Sequence, residues 1–206
     1  MKHNLKGMTL IELLVALVLC SMLVGGAYRL FISQNRAYAV QDQVVELQQN
    51  TRGAMEILIR DLRMTGYDDD TTPGVTPGAT PITVGDNTVT VRYERSGGLC
   101  VVQYWVDGNS NLMRQQTVGA VSTSEPLLEN VNALGFAYGV DGDQDGAMDD
   151  LNSNNVVDDW VNAGSVGNRK VVSVRVTLTA RPTQVSPDLQ YVSPRTLMTA
   201  VTFRNG

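Results

Sequence analysis

The chain has 206 residues, 43% of them hydrophobic and 18% charged, which suits one ordinary domain plus an appendage and excludes a disordered chain. A net charge of −5 gives the whole chain no basic nucleic-acid footprint. His3 is the only histidine, so beyond the first few residues the sequence has no His-dependent triad and no His-ligated zinc.

Residues 1–7, MKHNLKG, are short and basic through Lys2 and Lys6. From Met8 the chain is apolar to about Tyr28, interrupted by one charge, Glu12. That approaches the ~20 residues needed to cross a bilayer. Basic residues ahead of the span favour a cytoplasmic N-terminus and export of the rest of the chain. An ordinary secretory signal or signal anchor has two difficulties. No A-x-A-like cleavage site stands after the apolar run. Glu12 also stands inside the span, where a carboxylate costs a few kcal/mol and usually has a function.

The run Gly7-Met8-Thr9-Leu10-Ile11-Glu12 resembles the processing motif of type IV prepilins: a glycine, an apolar residue, then Thr-Leu-Ile-Glu. The resemblance implies cleavage after Gly7 by a prepilin peptidase, N-methylation of the new terminus at Met8, and an assembly role for Glu12. The family usually has Phe where this chain has Met8, a position that chiefly needs to be apolar. The chemistry of Glu12 is a consequence of cleavage, which leaves a positive amine at Met8 that must enter an apolar filament core. An unpaired buried charge is costly, and an opposite charge offsets much of that cost. Glu12 of one subunit would pair with the amine of its neighbour and set axial register.

The apolar run is expected to continue into a single helix over about 8–66, with no proline inside it. Past Arg29 it turns amphipathic, with Val40, Val44, Leu47, Thr51, Ala54, Leu58 and Leu62 on one face at spacings of three or four. This face predicts packing on a sheet, and Gly66 is the expected stop. At ~1.5 Å per residue such a helix runs roughly 90 Å, too long for a compact domain alone.

Residues 68–81, DDDTTPGVTPGATP, read as a linker. Strand patterns come next at 88–93, 99–106, 111–116, 134–140, 171–178 and 197–203, with Asp107-Gly108-Asn109 as a hairpin turn. The expected class is α+β: a long N-terminal helix packed on an antiparallel sheet, as in the pilin fold. The helix end Met55–Tyr67, the Tyr104–Asn109 hairpin, the Leu128–Val131 segment and Phe203–Asn205 resemble PilW-type minor pilins and the minor pseudopilin J of type II secretion. On this reading 1–7 is a leader, 8–32 a membrane or filament-core helix, 33–66 its amphipathic half, and 67–206 a periplasmic head.

Residues 141–159 of the head, DGDQDGAMDDLNSNNVVDD, hold seven aspartates and no Lys or Arg. Removing those charges from −5 would leave the rest of the chain at +2, so the acidity is local. Asp141, Asp143, Asp145, Gly146, Asp149 and Asp150 recur nine residues later as Asp150, Asn152, Asn154, Asn155, Asp158 and Asp159. The first copy opens like an EF-hand loop, and alternating oxygen ligands suit a hard cation that takes six to eight of them. The bidentate Glu of an EF-hand is replaced by Asn152, so the loop is closer to dockerin or thrombospondin calcium loops. Calcium is the expected ion, with Asp141, Asp143, Asp145, Asp149, Asp150, Asn152, Asn154 and Asp158 as ligands. The alternative is a solvated acidic loop. Cys20 and Cys100 have no metal spacing and are not expected to pair.

The resemblance implies a structural subunit that primes or caps a type IV pilus. Its partners would be the prepilin peptidase, other pilins met through the N-terminal helix, and the inner-membrane assembly platform. A single-pass inner-membrane protein with a periplasmic head would become part of a surface filament. The alternatives are a type II secretion pseudopilin, or a tip adhesin acting through the sheet and acidic loop. An anchored enzyme is disfavoured, because no nucleophile elbow or phosphate loop is present and Lys170 is the only lysine beyond the leader.

Overall fold

The computed structural model describes residues 9–68, 76–78, 80–95, 98–152, 159–182 and 193–203. It divides into two compact units, 1–43 and 44–206. Helix α1, Leu10–Arg63, runs through both.

In the first unit almost every described side chain is exposed. Leu10, Met22, Leu23 and Val24 are each about 70% exposed or more. A helix this apolar and this long can cross a membrane by length and composition.

In the second unit the helix acquires a buried face of Leu47, Thr51, Ala54, Leu58 and Leu62, the stripe expected from the spacing. Val40, just before this unit, and Val44 at its start are half-buried. The helix ends at Arg63, a turn early, and Gly66 closes the exit at φ 74° with its N–H bonded to the Arg92 carbonyl at 2.9 Å. A positive φ of that kind suits glycine, which carries no Cβ penalty.

The head holds two antiparallel sheets where the sequence suggested one. The first is a meander of β1 (Ile82–Val84), β2 (Val89–Arg95), β3 (Gly98–Val106), β4 (Leu112–Val118) and β5 (Val121–Leu128), in that spatial order. The second contains β6 (Val131–Asp141), β7 (Lys170–Ala180) and β8 (Arg195–Thr202), with the short helix α2 (Ala163–Val166) between β6 and β7. The chain changes sheets at Asn130, which takes a left-handed φ of 56°. Asparagine tolerates that region better than most residues. The Asp107 turn forms as expected, its Oδ1 accepting the N–H groups of Asn109 and Asn111 at 2.9 and 2.8 Å. Strand β5 was not visible in the sequence. It is an edge strand, exposed over six of its eight residues, and it tolerates Pro126 as edge strands do.

One apolar cluster joins the inner face of α1 to both sheets, through Leu58 and Leu62 on the helix, Val91 and Val102 in the first sheet and Val174 and Val176 in the second. The sheets are also tied by Tyr138 of β6. Its hydroxyl donates to the Gly85 carbonyl at 2.6 Å and accepts the Gly85 N–H at 3.0 Å. Burial, with the nearby Asp86 charge adding and the Gly85 hydrogen bond opposing, pushes this phenol up to about 12.

Candidate functional site

Gly7 and Met8 lie outside the described residues. The described helix begins immediately after them, and its start is a capping box. Glu12 Oε2 accepts the Thr9 N–H at 2.9 Å and the Thr9 hydroxyl at 3.0 Å, while the Glu12 N–H reaches Thr9 Oγ1 at 3.3 Å. The T-x-x-E spacing is itself a capping signal, which reading Glu12 only as an intermolecular partner overlooks. The two roles are compatible. The box turns the carboxylate toward the helix start, where the partial positive charge of the helix favours it. Carboxylate lone pairs remain for an incoming amine.

Below this cap the apolar residues from Leu10 to Phe31 are exposed on every side of the helix. Cys20 is among them as a free thiol, and Cys100 is a buried free thiol in β3. Cys100 accepts a hydrogen bond from the Gln116 amide at 3.4 Å.

The second unit anchors its stretch of the helix through a buried acid that the sequence pattern does not single out. Asp61 accepts the Tyr104 hydroxyl at 2.6 Å and Arg114 Nε at 2.8 Å, with the Tyr93 hydroxyl at 3.4 Å. Its side chain is 8% exposed and that of Arg114 is 12% exposed. Burial pushes both phenols above their ordinary range, and the Asp61 charge adds to the effect. Burial works against the Arg114 charge, but the hydrogen bond and charge of Asp61 outweigh it and hold the guanidinium above its ordinary value. In the sequence, Met55–Met64 alternates charged and apolar residues as any helix face does, so nothing there marks Asp61 as different from Glu56 or Arg60.

The acidic loop leaves the end of β6. Asp141 is buried and receives the N–H groups of Gln144 and Gly146 at 2.6 and 2.9 Å. Gly146 adopts φ 87°, the sharp turn expected of it. Asp143 and Asp145 accept the N–H two residues ahead, and Asp149 Oδ2 accepts that of Gly142 at 2.8 Å. Met148 lies over Gly139, where an added Cβ would come within 2.6 Å of its sulfur. This curl brings carboxylate oxygens of Asp141, Asp143 and Asp149 within 4.8 Å of one another. Asp145 and Asp150 fall outside that group. In the second copy, Asn152 donates its N–H and side-chain amide to Asp159 at 2.8 and 2.6 Å. The Gly142–Asp149 contact is thus repeated ten residues on, one more than the sequence period. Asn154 and Asp158 lie outside the described residues.

Two family models match the chain. That of type IV pilus-assembly protein W covers residues 101–204, half of the chain. That of the prokaryotic N-terminal methylation motif covers residues 2–28. No curated protein matches.

Proposed function

Since the chain belongs to the family of type IV pilus-assembly protein W, we propose that it is a minor pilin, made as a prepilin, that primes or caps a pilus. The families it matches are structural components of the pilus rather than enzymes. The apolar N-terminal helix and the methylation motif fit a membrane-anchored pilin. In the finer reading, a prepilin peptidase cuts after Gly7 and Met8 is methylated. The protein waits in the inner membrane with its head in the periplasm. The assembly platform then lifts it into a filament of other pilins.

The observation that carries this reading is the apolar helix surface from Leu10 to Phe31, headed by a carboxylate already turned toward the helix start. Such a surface is costly in water and comfortable either in lipid or against other helices of its kind. Glu12 then serves the amine of a neighbour while Thr9 holds it in place.

Glu12→Ala and Gly7→Val separate the steps. Gly7→Val is expected to stay uncut and unassembled. Glu12→Ala is expected to be cut normally, as judged by the intact mass of membrane-extracted protein, yet to be scarce in sheared filaments. Wild-type incorporation of Glu12→Ala, or a mature mass that retains residues 1–7, overturns the reading.

We propose in addition that the acidic loop takes calcium. The approach of Asp141, Asp143 and Asp149 supports it, as does the choice of oxygen donors, which suit a hard cation. Mutual repulsion of the aspartates is relieved on binding. Calcium would tie the end of β6 to the loop beyond it and stiffen the head outside the cytoplasm.

A further inference from the structure

An open groove of about 630 Å³ lies in the second unit between α1 and β8, the outermost strand of its sheet. Ile59 of the helix and Leu197 and Thr199 of the strand line it, and Arg52, Arg60 and Arg63 stand along its helix side. All three arginines are exposed, and among the described residues none of them is in an ion pair. Glu56 is the single acid among the described residues that line the groove, so this described lining carries a net surplus of positive charge.

We infer that this groove is the docking site for an extended, acidic segment of a different filament subunit. This rests on the reading of the chain as a pilin. Charge complementarity argues for the occupant's acidity. Arg60 and Arg63 are neighbours on one helix face, and Arg52 lies two turns away, about 12 Å. Carboxylates four residues apart on an extended segment span a similar ~13 Å. The strand side argues for extended backbone. An outer strand directs alternate N–H and C=O groups away from its sheet, and natural edges are usually blunted with charge or proline. From Thr196 to Thr202, β8 has neither, and Met198 is 58% exposed on it. A strand laid along this edge would gain backbone hydrogen bonds, set an apolar side chain against Ile59 and Leu197, and offer carboxylates to the arginines.

A second copy of this chain fits less well. Its own described acidic segment is curled, with the Asp141, Asp143 and Asp145 side chains turned onto nearby backbone N–H groups. It offers no extended strand.

The test places a photo-cross-linking benzophenone residue at Glu56 in the full-length protein, expressed in cells that assemble filaments. Cross-linked peptides from sheared filaments are sequenced. The expected product joins position 56 to another pilin at a segment with two or more carboxylates. Arg52→Glu, Arg60→Glu and Arg63→Glu together should cut its yield at least tenfold. Replacing the partner's carboxylates with lysine should restore it in that background. Arg→Lys at the same three positions keeps the charge and should retain the product, which guards against simple misfolding. Cross-links to a second copy, to lipid or to a neutral segment overturn the inference, as does a yield indifferent to charge reversal. If the protein is incorporated into filaments and gives no such product, only the groove assignment falls. If it never enters filaments, the pilin reading itself falls.

Discussion

Asp61→Ala is the most informative single perturbation of the head. The substitution removes two short hydrogen bonds, at 2.6 and 2.8 Å, and leaves the Arg114 guanidinium, 12% exposed, without its close partner. Breaking a buried ion pair from one side costs about 3–5 kcal/mol, because the surviving charge stays desolvated. Glu125, 3.3 Å from the other end of Arg114 and largely exposed, offers partial relief and favours the lower half of that range. In a chain of this size each kcal/mol shifts the midpoint by about 2–4 °C, so a fall of about 10 °C is expected. The assay is a thermal melt of the full-length protein in detergent, monitored by tryptophan fluorescence and near-ultraviolet circular dichroism. Arg114→Met alone should also destabilise, since it strands Asp61. The pair Asp61→Ala with Arg114→Met should cost less than the sum of the two single changes by about 1.5 kcal/mol or more, because neither charge is then orphaned. A fall of less than about 2 °C in Asp61→Ala, or strict additivity in the cycle, would refute the claim that this pair ties the helix to the first sheet.

Gly85→Ala should destabilise the head by about 1–3 kcal/mol. Its Cβ would stand 2.9 Å from the Thr88 carbonyl oxygen, where backbone rather than a flexible side chain must give way; an unchanged melting temperature would count against this. Alkaline pH should weaken the fold through Tyr138. A phenol pushed up to about 12 in the folded state contributes its full stabilisation below about pH 10, and that contribution is lost as pH climbs from about 10 to about 12. Tyr138→Phe should flatten the slope of stability in that window, measured by denaturant titration. Calcium at a hundred times its Kd should add about 2.7 kcal/mol to the folded state. Asp143→Ala should abolish that gain, and identical melts in EDTA and in millimolar calcium would return the loop to a solvated acidic surface.

Features set by local chemistry were legible from the residues alone. The apolar run after Met8 read as a helix able to cross a membrane from its length and composition alone. The stripe from Leu47 to Leu62 announced its buried face, since a 3.6-residue period leaves side chains three and four apart no choice of side. Alternation in 171–178 likewise marked β7. Gly66 and Gly146 took the positive φ values that their turns required. The rest depended on neighbours distant in the chain. Val121–Leu128 has the polarity of a loop and becomes a strand because β4 supplies its hydrogen-bonding partner. The division into two sheets turns on Asn130, whose left-handed conformation is one option among several for an asparagine until Val131 bonds to Ser110 and Arg181 bonds back to Asn130. Asp61 carries no mark among the charged residues of its helix. It is buried because α1 lies on the first sheet where Tyr104 and Arg114, 43 and 53 residues further along, converge on it. A buried charge is tolerated only where partners meet it, and where they meet is a property of the tertiary fold.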